Sequence, residues 1–267
     1  MRRPVLITGG AGFIATNVAD RLLSGKTPVL LFDNLSRTGV EENLEWLKRK
    51  HGPLVQFEPG DVRDAEAVSR VVRRAAQGFH FAAQVAVTTS LDDPFFDFEV
   101  NARGTLNLLE AARAGATPPP ILFTSTNKVY GDLEDVGVQK HGTRYEPADA
   151  RMRRHGIDES RCLQFHSPYG CSKGVAEQYV LDYARTFGLK TSVFRMSCIY
   201  GPHQFGTEDQ GWVAHFILAA LRGDPLTIYG DGHQVRDILF VDELPRNMAG
   251  SEEHTSELQS RLHLVCR

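Results

Sequence analysis

Short apolar runs rich in β-branched residues alternate with stretches of helical periodicity along the first two hundred residues. The runs predict strands, and the stretches between them predict helices. Strands are predicted at 4–8, 29–33, 54–57, 79–82, 121–125 and 191–194, and helices at 12–24, 41–50, 64–76, 94–114 and from 168 onward. Strict alternation implies right-handed crossovers and a parallel sheet covered on both faces. The chain is therefore predicted to be α/β, with a doubly wound sheet.

The regular pattern stops twice further along the chain. Between residues 132 and 166 polar residues dominate without periodicity, which predicts a long insert or an active-site loop rather than core. Beyond residue 201 the chain turns to shorter pieces, namely a loop over 202–210, a helix over 212–222 and strands at 226–229 and 238–241. These pieces predict the start of a second, smaller lobe.

Composition narrows the class of protein. With 267 residues and 42% hydrophobic content, the chain can bury one large core. A net charge of −3 and only local arginine clusters give no reason to expect nucleic acid or a membrane surface as partner. The four cysteines lack metal-ligand spacing, so we expect reduced thiols, no metal site and a cytoplasmic location. No run approaches the ~20 apolar residues of a membrane span.

A glycine-rich turn follows the first predicted strand, in the run TGGAGFIA at residues 8–15. Gly9 permits a tight turn, Gly12 lets the backbone approach a phosphate, and the small Ala15 allows close helix packing. The N–H groups that open the next helix then face the anion. This spacing between a strand and a helix favours a dinucleotide-binding site.

Acidic residues at the ends of the next two strands extend this prediction. Asp33 ends the second strand, where its carboxylate can accept hydrogen bonds from an adenosine ribose. Because Asp33 would repel a 2′-phosphate, it favours NAD over NADP, although Arg37 four residues later weakens that preference. Asp61, after the third strand, is placed to meet the adenine edge, with a simple helix-capping role as the alternative.

Tyr169 and Lys173 stand one turn apart in a predicted helix that Ser167 caps and Pro168 begins. A nearby ammonium lowers the pKa of a phenol, which can then act as a base. The pKa must fall by roughly 3 units, or about 4 kcal/mol, and one ammonium at ~5 Å supplies about 3 kcal/mol at an effective dielectric of ~20. Since oxidised nicotinamide can supply the rest, we hypothesise that Tyr169 ionises readily only with NAD⁺ bound. Thr126 is predicted to bridge to the substrate oxygen, unless it merely caps a turn.

Several motifs occur in an order typical of one family. They are TGGAGFI at 8–14, GDV at 60–62, AAQ at 82–84, ST at 125–126, YxxxK at 169–173, YGP at 200–202 and VRD at 235–237. Over residues 3–243 the chain resembles the extended short-chain dehydrogenase/reductase family, the NAD-dependent epimerases and dehydratases. The resemblance implies a Rossmann-type fold, NAD as cofactor and a nucleotide-sugar substrate. It also implies a homodimer or higher homo-oligomer, formed through the helices near 94–114 and 168–187.

The resemblance also implies the roles of individual residues. The catalytic residues are expected to be Thr126, Tyr169 and Lys173. The cofactor-binding residues are expected to be Gly9, Gly12, Phe13, Ile14, Asp33, Asn34, Asp61, Val62, Ala82, Ala83, Gln84, Asn101, Ser125, Tyr169 and Lys173. The substrate-binding residues are expected to be Thr126, Cys198, Gln204 and Arg236. A guanidinium at Arg236 suits the sugar nucleotide's pyrophosphate, and the alternative for it is a surface ion pair with Asp237.

The predicted domain organisation follows from these assignments. Residues 1–200 are expected to form the NAD-binding Rossmann domain, and residues 201–249 a small, truncated substrate-binding lobe. Residues 250–267 are expected to be a non-native tail, because the run from Ser251 breaks register and resembles the translation of a sequencing-adapter oligonucleotide. The alternative is a genuine terminal helix capped by Ser251.

The residues after Thr126 separate the reactions of this family. The resemblance implies that sugar 4,6-dehydratases carry an Asp-Glu pair there, because water elimination needs an acid and a base beyond the Tyr. This chain has Asn127 and Lys128 instead, which disfavours elimination. Residues 194–212 and 125–132 resemble the CDP-paratose 2-epimerase branch, so NAD-dependent epimerisation of a nucleotide sugar is expected. The alternatives are a UDP-glucose 4-epimerase, another nucleotide-sugar reductase or dehydratase, and an NAD-binding fragment without turnover.

Overall fold

Ten strands occur in the computed structural model, which describes residues 2–250. They are β1 (Val5–Thr8), β2 (Val29–Asp33), β3 (Val55–Pro59), β4 (Gln77–His80), β5 (Ile121–Thr126), β6 (Val138–His141), β7 (Arg144–Pro147), β8 (Thr191–Met196), β9 (Cys198–Tyr200) and β10 (Ile238–Phe240). Six of them form one sheet in the order β3-β2-β1-β4-β5-β8, and each neighbouring pair is parallel. The predicted Rossmann-type doubly wound sheet is confirmed.

The helices of the described residues connect these strands. They are α1 (Phe13–Ser24), α2 (Val40–His51), α3 (Ala65–Val72), α4 (Val87–Asp92), α5 (Pro94–Phe98), α6 (Gly104–Arg113), α7 (Ala150–His155), α8 (Ser167–Phe187), α9 (Trp212–Arg222) and α10 (Glu243–Gly250). A π-helical segment at Glu99–Arg103 joins α5 to α6, so the single helix predicted over 94–114 is interrupted. Asp64 caps α3 through two backbone N–H groups, and Gly188 ends α8 in the left-handed conformation.

The core lies on both faces of the sheet because successive side chains of a strand point in opposite directions. Leu6 and Leu30 join a cluster with α3, α6 and α8, whereas Ile7 and Leu31 join a cluster with α1 and α2. Leu244 from α10 is buried in the second cluster, so a segment late in the chain packs against the main sheet. The division at residue 200 stays a prediction.

Besides the interrupted helix over 94–114, the structure departs from the predicted elements at several places. Strand β4 spans 77–80 rather than 79–82, and residues 226–229 form no strand. The insert at 132–166 contains the antiparallel hairpin β6–β7 and the helix α7. All four side chains of β6 are exposed, so this strand lacks the alternating burial that a periodicity argument detects. Residues 251–267, predicted as a foreign tail, lie outside the described residues.

His80, at the end of β4, is fully buried between two hydroxyls. Its Nδ1 lies 2.6 Å from Oγ1 of Thr8, and its Nε2 lies 3.0 Å from Oγ1 of Thr105. Burial first, and then the charge of Lys173, lower the pKa of His80 to about 3. The unfolded chain binds a proton at His80 below about pH 6.5 that the folded protein does not bind. Stability should therefore fall as the pH falls from about 6.5 towards about 3.

The His80→Gln variant tests this pH dependence. We expect the wild-type free energy of unfolding to lose up to about 1.4 kcal/mol per pH unit through His80 in that range. The variant should lack this contribution and show a flatter dependence between pH 7 and pH 5. Urea unfolding of both proteins at several pH values measures the difference. Equal slopes for the two proteins would show that His80 does not titrate in this way.

Among the helices of residues 2–250, none combines the length and apolar character that crossing a membrane requires.

Candidate active site

The glycine turn packs directly against the backbone that follows β4. Gly9 has φ +64°, a region that favours glycine. A Cβ at Gly9 would lie 2.7 Å from the backbone N of Ala82, so no side chain fits there. Helix α1 begins at Phe13 after Gly12, and no side chain caps its N–H groups. Phe13 and Ile14 therefore offer backbone donors at a positive helix end, as a phosphate site requires.

Asp33 holds the glycine turn in place. Its Oδ2 accepts a hydrogen bond from the N–H of Ala11 at 3.0 Å, and its Oδ1 accepts one from the N–H of Leu35 at 2.8 Å. Burial raises the pKa of this carboxyl, although the hydrogen bonds from Ala11 and Leu35 oppose the change. A carboxylate has about four lone-pair positions, so Asp33 retains acceptor capacity for the predicted ribose contact.

Asp61 is held by two neighbouring side chains. Arg63 donates to it through Nε at 2.9 Å and Nη2 at 2.8 Å, and Asn34 donates through Nδ2 at 2.8 Å. The Arg63 hydrogen bond is the main reason that the pKa of Asp61 falls to about 2. Val62, next in the chain, is buried close to the position that a Cβ on Gly104 would take. Asn34 and Asp61 are thus hydrogen-bonded beside Asp33, where the adenosine was predicted, whereas the side chain of Val62 packs into the core.

The loop after β4 is fixed by an amide side chain from the π-helical segment. Asn101 accepts a hydrogen bond from the N–H of Gln84 at 3.0 Å and donates one to its carbonyl at 3.1 Å. Gln84 itself folds back onto the backbone of Ala86. Ala82 and Ala83 lie just past β4 in this loop, two residues later relative to the strand than predicted. Asn101 thereby positions the backbone that borders the glycine turn.

Tyr169, Lys173 and Thr126 meet where β5 faces the start of α8. Helix α8 begins at Ser167, one residue before the predicted start, so His166 takes the N-cap position predicted for Ser167, whose hydroxyl accepts a hydrogen bond from the N–H of Gly170 at 3.2 Å. Tyr169 is almost fully buried, and its phenol lies beside the hydroxyl of Thr126. Lys173, one turn further on, donates through Nζ to the carbonyl of Thr124 at 2.6 Å. The three predicted catalytic side chains therefore share one buried corner of the site.

Burial dominates the acid–base behaviour of these groups. It raises the pKa of Tyr169 to about 12, more than the hydrogen bond from Thr126 lowers it. Burial also lowers the pKa of Lys173 to about 7, against the opposing charges of Glu177 and Asp97. The protein's own groups thus leave the phenol protonated near neutral pH. An additional positive charge beside the ring is needed, which agrees in direction with our hypothesis for NAD⁺.

The residues of the site fit an NAD molecule. The turn at Gly9 leaves a cradle that a Cβ would fill, and Asp33 keeps unused acceptor positions. The Oγ of Ser125 is buried and, within residues 2–250, has no hydrogen-bond partner. A buried hydroxyl of this kind normally has a partner, and a bound ligand at the end of β5 would supply one. The predicted cofactor residues are therefore compatible with the group.

The predicted substrate residues are less closely gathered. Cys198 begins β9 and is half-buried. Gln204 donates through Nε2 to the carbonyl of Ile199 at 3.2 Å, and its buried Oε1 has no partner among the described residues. Arg236 is exposed, and its guanidinium donates to the carbonyl of Val235 rather than pairing with Asp237. The structure therefore does not bring Arg236 into contact with Tyr169 or Thr126.

Three charged residues near the site were not predicted. Asp97 is fully buried, accepts a hydrogen bond from Nδ2 of Asn101 at 3.1 Å and raises the pKa of Tyr169. Glu177 is fully buried and pairs with Arg195 at 2.6 Å. The helical spacing of Tyr169, Lys173 and Glu177 could have indicated Glu177, because residues four apart share a helix face.

The sequence of this chain matches a known family over nearly its whole length. Residues 5–259 match the family described as the NAD dependent epimerase/dehydratase family. The chain belongs to this family. Its members use NAD, and the expectation drawn from the sequence motifs is confirmed. No group of His, Cys, Asp and Glu that could hold a metal ion occurs within residues 2–250.

Relatives of this family member include enzymes of two kinds. The chain is 49% identical to the CDP-paratose 2-epimerase of Salmonella typhi over 247 residues, covering 90% of this chain and 72% of that protein. It is 30% identical to a putative UDP-glucose 4-epimerase of Methanocaldococcus jannaschii, covering 91% of this chain and 71% of that protein.

Solved structures of the family share the fold. One is the UDP-glucose 4-epimerase of Thermus thermophilus in complex with NAD, with a TM-score of 0.76 and 35% identity over 93% of this chain and 74% of that one. Another is a dTDP-glucose 4,6-dehydratase from Streptomyces venezuelae with NAD bound, with a TM-score of 0.78 and 29% identity over 94% of this chain and 72% of that one.

Proposed function

We propose that this protein is an NAD-dependent epimerase that inverts C2 of the sugar in CDP-paratose. The observation that carries the proposal is the buried Tyr169 phenol beside the hydroxyl of Thr126, with Lys173 one helical turn away. The 49% identity to a CDP-paratose 2-epimerase supports the choice of substrate. Asn127 and Lys128, in place of an acid pair after Thr126, argue against water elimination.

The residues of the site divide the proton chemistry between them. Thr126 lies beside the phenol and forms a hydrogen bond with the sugar hydroxyl. Its own oxygen also accepts a hydrogen bond from the N–H of Lys128 at 3.3 Å. Tyr169, as phenolate, takes the proton of that hydroxyl and later returns it to the same oxygen. Lys173, fixed by the carbonyl of Thr124, stabilises the phenolate when it is charged. The sugar must present its second face between the two proton transfers, which inverts the carbon.

We propose that Gly9, Gly12, Asp33 and Ser125 would hold NAD⁺, which would supply a reversible hydride acceptor for the carbon that carries the hydroxyl. That carbon must carry an O–H for Tyr169 to deprotonate, which C2 of paratose does and its deoxygenated neighbour does not. The 49% identity to a CDP-paratose 2-epimerase favours C2. No net oxidation results, so one bound cofactor serves many turnovers.

A second candidate is epimerisation at C4 of a UDP-hexose. Relatives and solved structures at 30–35% identity carry the name UDP-glucose 4-epimerase, and the same Tyr and Lys would serve that reaction. The protein would be incubated with NAD⁺ and either CDP-paratose or UDP-glucose, and the sugar configuration followed by NMR. We expect inversion at C2 of CDP-paratose only. Conversion of UDP-glucose instead would favour the second candidate, and NAD binding without turnover of either would indicate a non-catalytic protein.

We also propose that the protein forms a homo-oligomer through the outer faces of α5 and α8. Large apolar side chains are exposed on these helices and just before them, at Leu91, Phe95, Phe98, Tyr179 and Phe187. An exposed apolar patch of this kind is typical of a protein–protein interface. The family resemblance names the same two regions.

Sedimentation of the Phe95→Glu variant tests the proposed interface. Phe95 is 84% exposed, so a charge there costs the monomer little but would be unfavourable inside an interface. We expect a dimer or larger species for the wild type and a monomer for the variant. Leu221→Glu is the matched control, because Leu221 is 80% exposed on α9. A monomeric wild type would refute the proposed oligomer.

A further inference from the structure

A buried ion pair lies directly behind the predicted catalytic residues. Glu177 is fully buried on α8, one turn beyond Lys173 and two turns beyond Tyr169, so the three side chains share one helix face. Arg195, on β8, donates to Oε1 of Glu177 through Nε at 3.0 Å and Nη2 at 2.6 Å. A carboxylate taken fully out of water needs such a partner, because desolvation of an unpaired charge is costly.

The same guanidinium connects this pair to the turn after Thr126. Nη1 of Arg195 donates to the phenol oxygen of Tyr130 at 2.7 Å, and the guanidinium lies 4.9 Å from the centre of that ring. Tyr130 closes the short 3₁₀ turn that begins right after Thr126. Arg195 also stands opposite Ser125 in the register of β5 and β8. The pair therefore joins helix α8 to the strand and turn that carry Ser125 and Thr126.

Lys173 has charged or titratable neighbours on several elements. Tyr169 and Glu177 lie on its own helix, Asp97 approaches from α5, and His80 approaches from β4. The carbonyl of Thr124 on β5 accepts a hydrogen bond from Nζ of Lys173, and the Phe123 ring centre lies 4.3 Å from that nitrogen. Arg195 on β8 pairs with Glu177. Of these neighbours, Glu177 and Asp97 favour the charged ammonium, whereas burial opposes it.

We propose that Glu177 and Arg195 form a positioning pair that fixes Lys173 and its charge beneath the Tyr169 phenol. This inference rests on the proposed function of Tyr169 and Lys173. Neither Glu177 nor Arg195 touches the reacting atoms in this role. Glu177 keeps a negative charge next to Lys173, while Arg195 balances that charge and holds it in place.

Removing the two charges one at a time should shift the pKa of Lys173 in opposite directions. Glu177→Gln leaves the Arg195 charge uncompensated, and a net positive charge favours deprotonation of Lys173. Arg195→Gln leaves the Glu177 charge uncompensated, which favours the protonated ammonium. A unit charge ~10 Å away at an effective dielectric of ~20 shifts a pKa by about one unit. The double variant keeps the net charge of the wild type, so it should restore the original value.

NMR titration of the Lys173 side chain in the NAD⁺-saturated protein measures this effect without any sugar. Each variant is compared with the same variant carrying Lys173→Met, which identifies the Lys173 signal. We expect the pKa of Lys173 to fall by about one unit in Glu177→Gln and to rise by about one unit in Arg195→Gln. The double variant should lie within a few tenths of a unit of wild type. Shifts in the same direction, or no shift in either single variant, would overturn the proposal.

Conservative variants separate positioning from a purely structural role. Arg195→Lys and Glu177→Asp keep the charges, so the pKa of Lys173 should stay near the wild-type value even where the variant is less stable. If these variants shift the pKa of Lys173 as far as the neutral variants do, the pair acts only by supporting the fold. Should Arg195→Gln fail to fold, Glu177→Gln against Glu177→Asp decides the question. The predicted shifts in a protein that inverts no sugar would refute the proposed function and leave this inference standing.

Discussion

Replacing Tyr169 by Phe is expected to slow inversion of the sugar by about 10²–10⁴-fold, the usual contribution of a positioned acid–base group. The variant keeps the buried ring and loses only the oxygen that lies beside Thr126. NAD binding should be retained, because the variant leaves the proposed cofactor contacts at the glycine turn and Asp33 unchanged. Initial rates at saturating substrate, together with NAD binding by calorimetry, measure both effects.

Tyr179→Phe is the matched control for this prediction. Tyr179 lies on the same helix as Tyr169, but its side chain is exposed. Losing its hydroxyl should leave the rate of inversion within a factor of about two, since it makes no contact with Thr126 or Lys173. A Tyr169→Phe protein that works at a similar rate to this control would show that another group moves the proton.

The second large effect concerns stability rather than rate. Arg195→Met removes one partner of the buried pair and leaves the fully buried Glu177 uncompensated. Breaking such a pair typically costs about 3 kcal/mol or more, because the remaining charge stays desolvated. We expect the free energy of unfolding at neutral pH to fall by this amount. Urea unfolding followed by circular dichroism measures the change.

Two further variants control for this loss of stability. In Arg195→Met with Glu177→Leu both charges are gone, so the double variant should recover most of the stability that the single variant loses. Arg113→Met breaks a pair with Glu110 in which both side chains are about half exposed, and we expect little measurable change. If the single and double variants were equally unstable, the cost would come from lost packing and not from an unpaired charge.

Much of the fold follows from hydrophobic periodicity. Strands β1, β2, β5 and β8 and helices α1, α2 and α9 lie within a residue or two of their predicted positions, because short apolar runs alternate with stretches of helical periodicity in the sequence. The hairpin β6–β7 was not predicted, since its strands carry few buried side chains. The prediction of a strand at 226–229 was wrong, because the apolar residues there are exposed and pair with no strand among residues 2–250.

The candidate site was predictable where a residue type is required by geometry. Gly9 is needed for a left-handed turn against Ala82, and the spacing of Tyr169 and Lys173 follows from the helical repeat. Asp97 and Arg195 could not be recognised in this way. Their roles depend on burial and on contacts between distant segments, and a lone charged residue in a sequence is more often exposed to solvent.

The most direct test of the account is the fate of hydrogen at the inverted carbon. Our central claim is that Tyr169 moves only the hydroxyl proton, while the hydrogen on carbon leaves as hydride and returns without exchanging with water. CDP-paratose deuterated at C2 would be converted in ordinary water and the product examined by NMR and mass spectrometry. We predict that the product keeps the deuterium at C2 in the inverted configuration. Inverted product that has lost its deuterium to solvent would contradict the account, because it would show that a carbon acid, not an alcohol, is deprotonated.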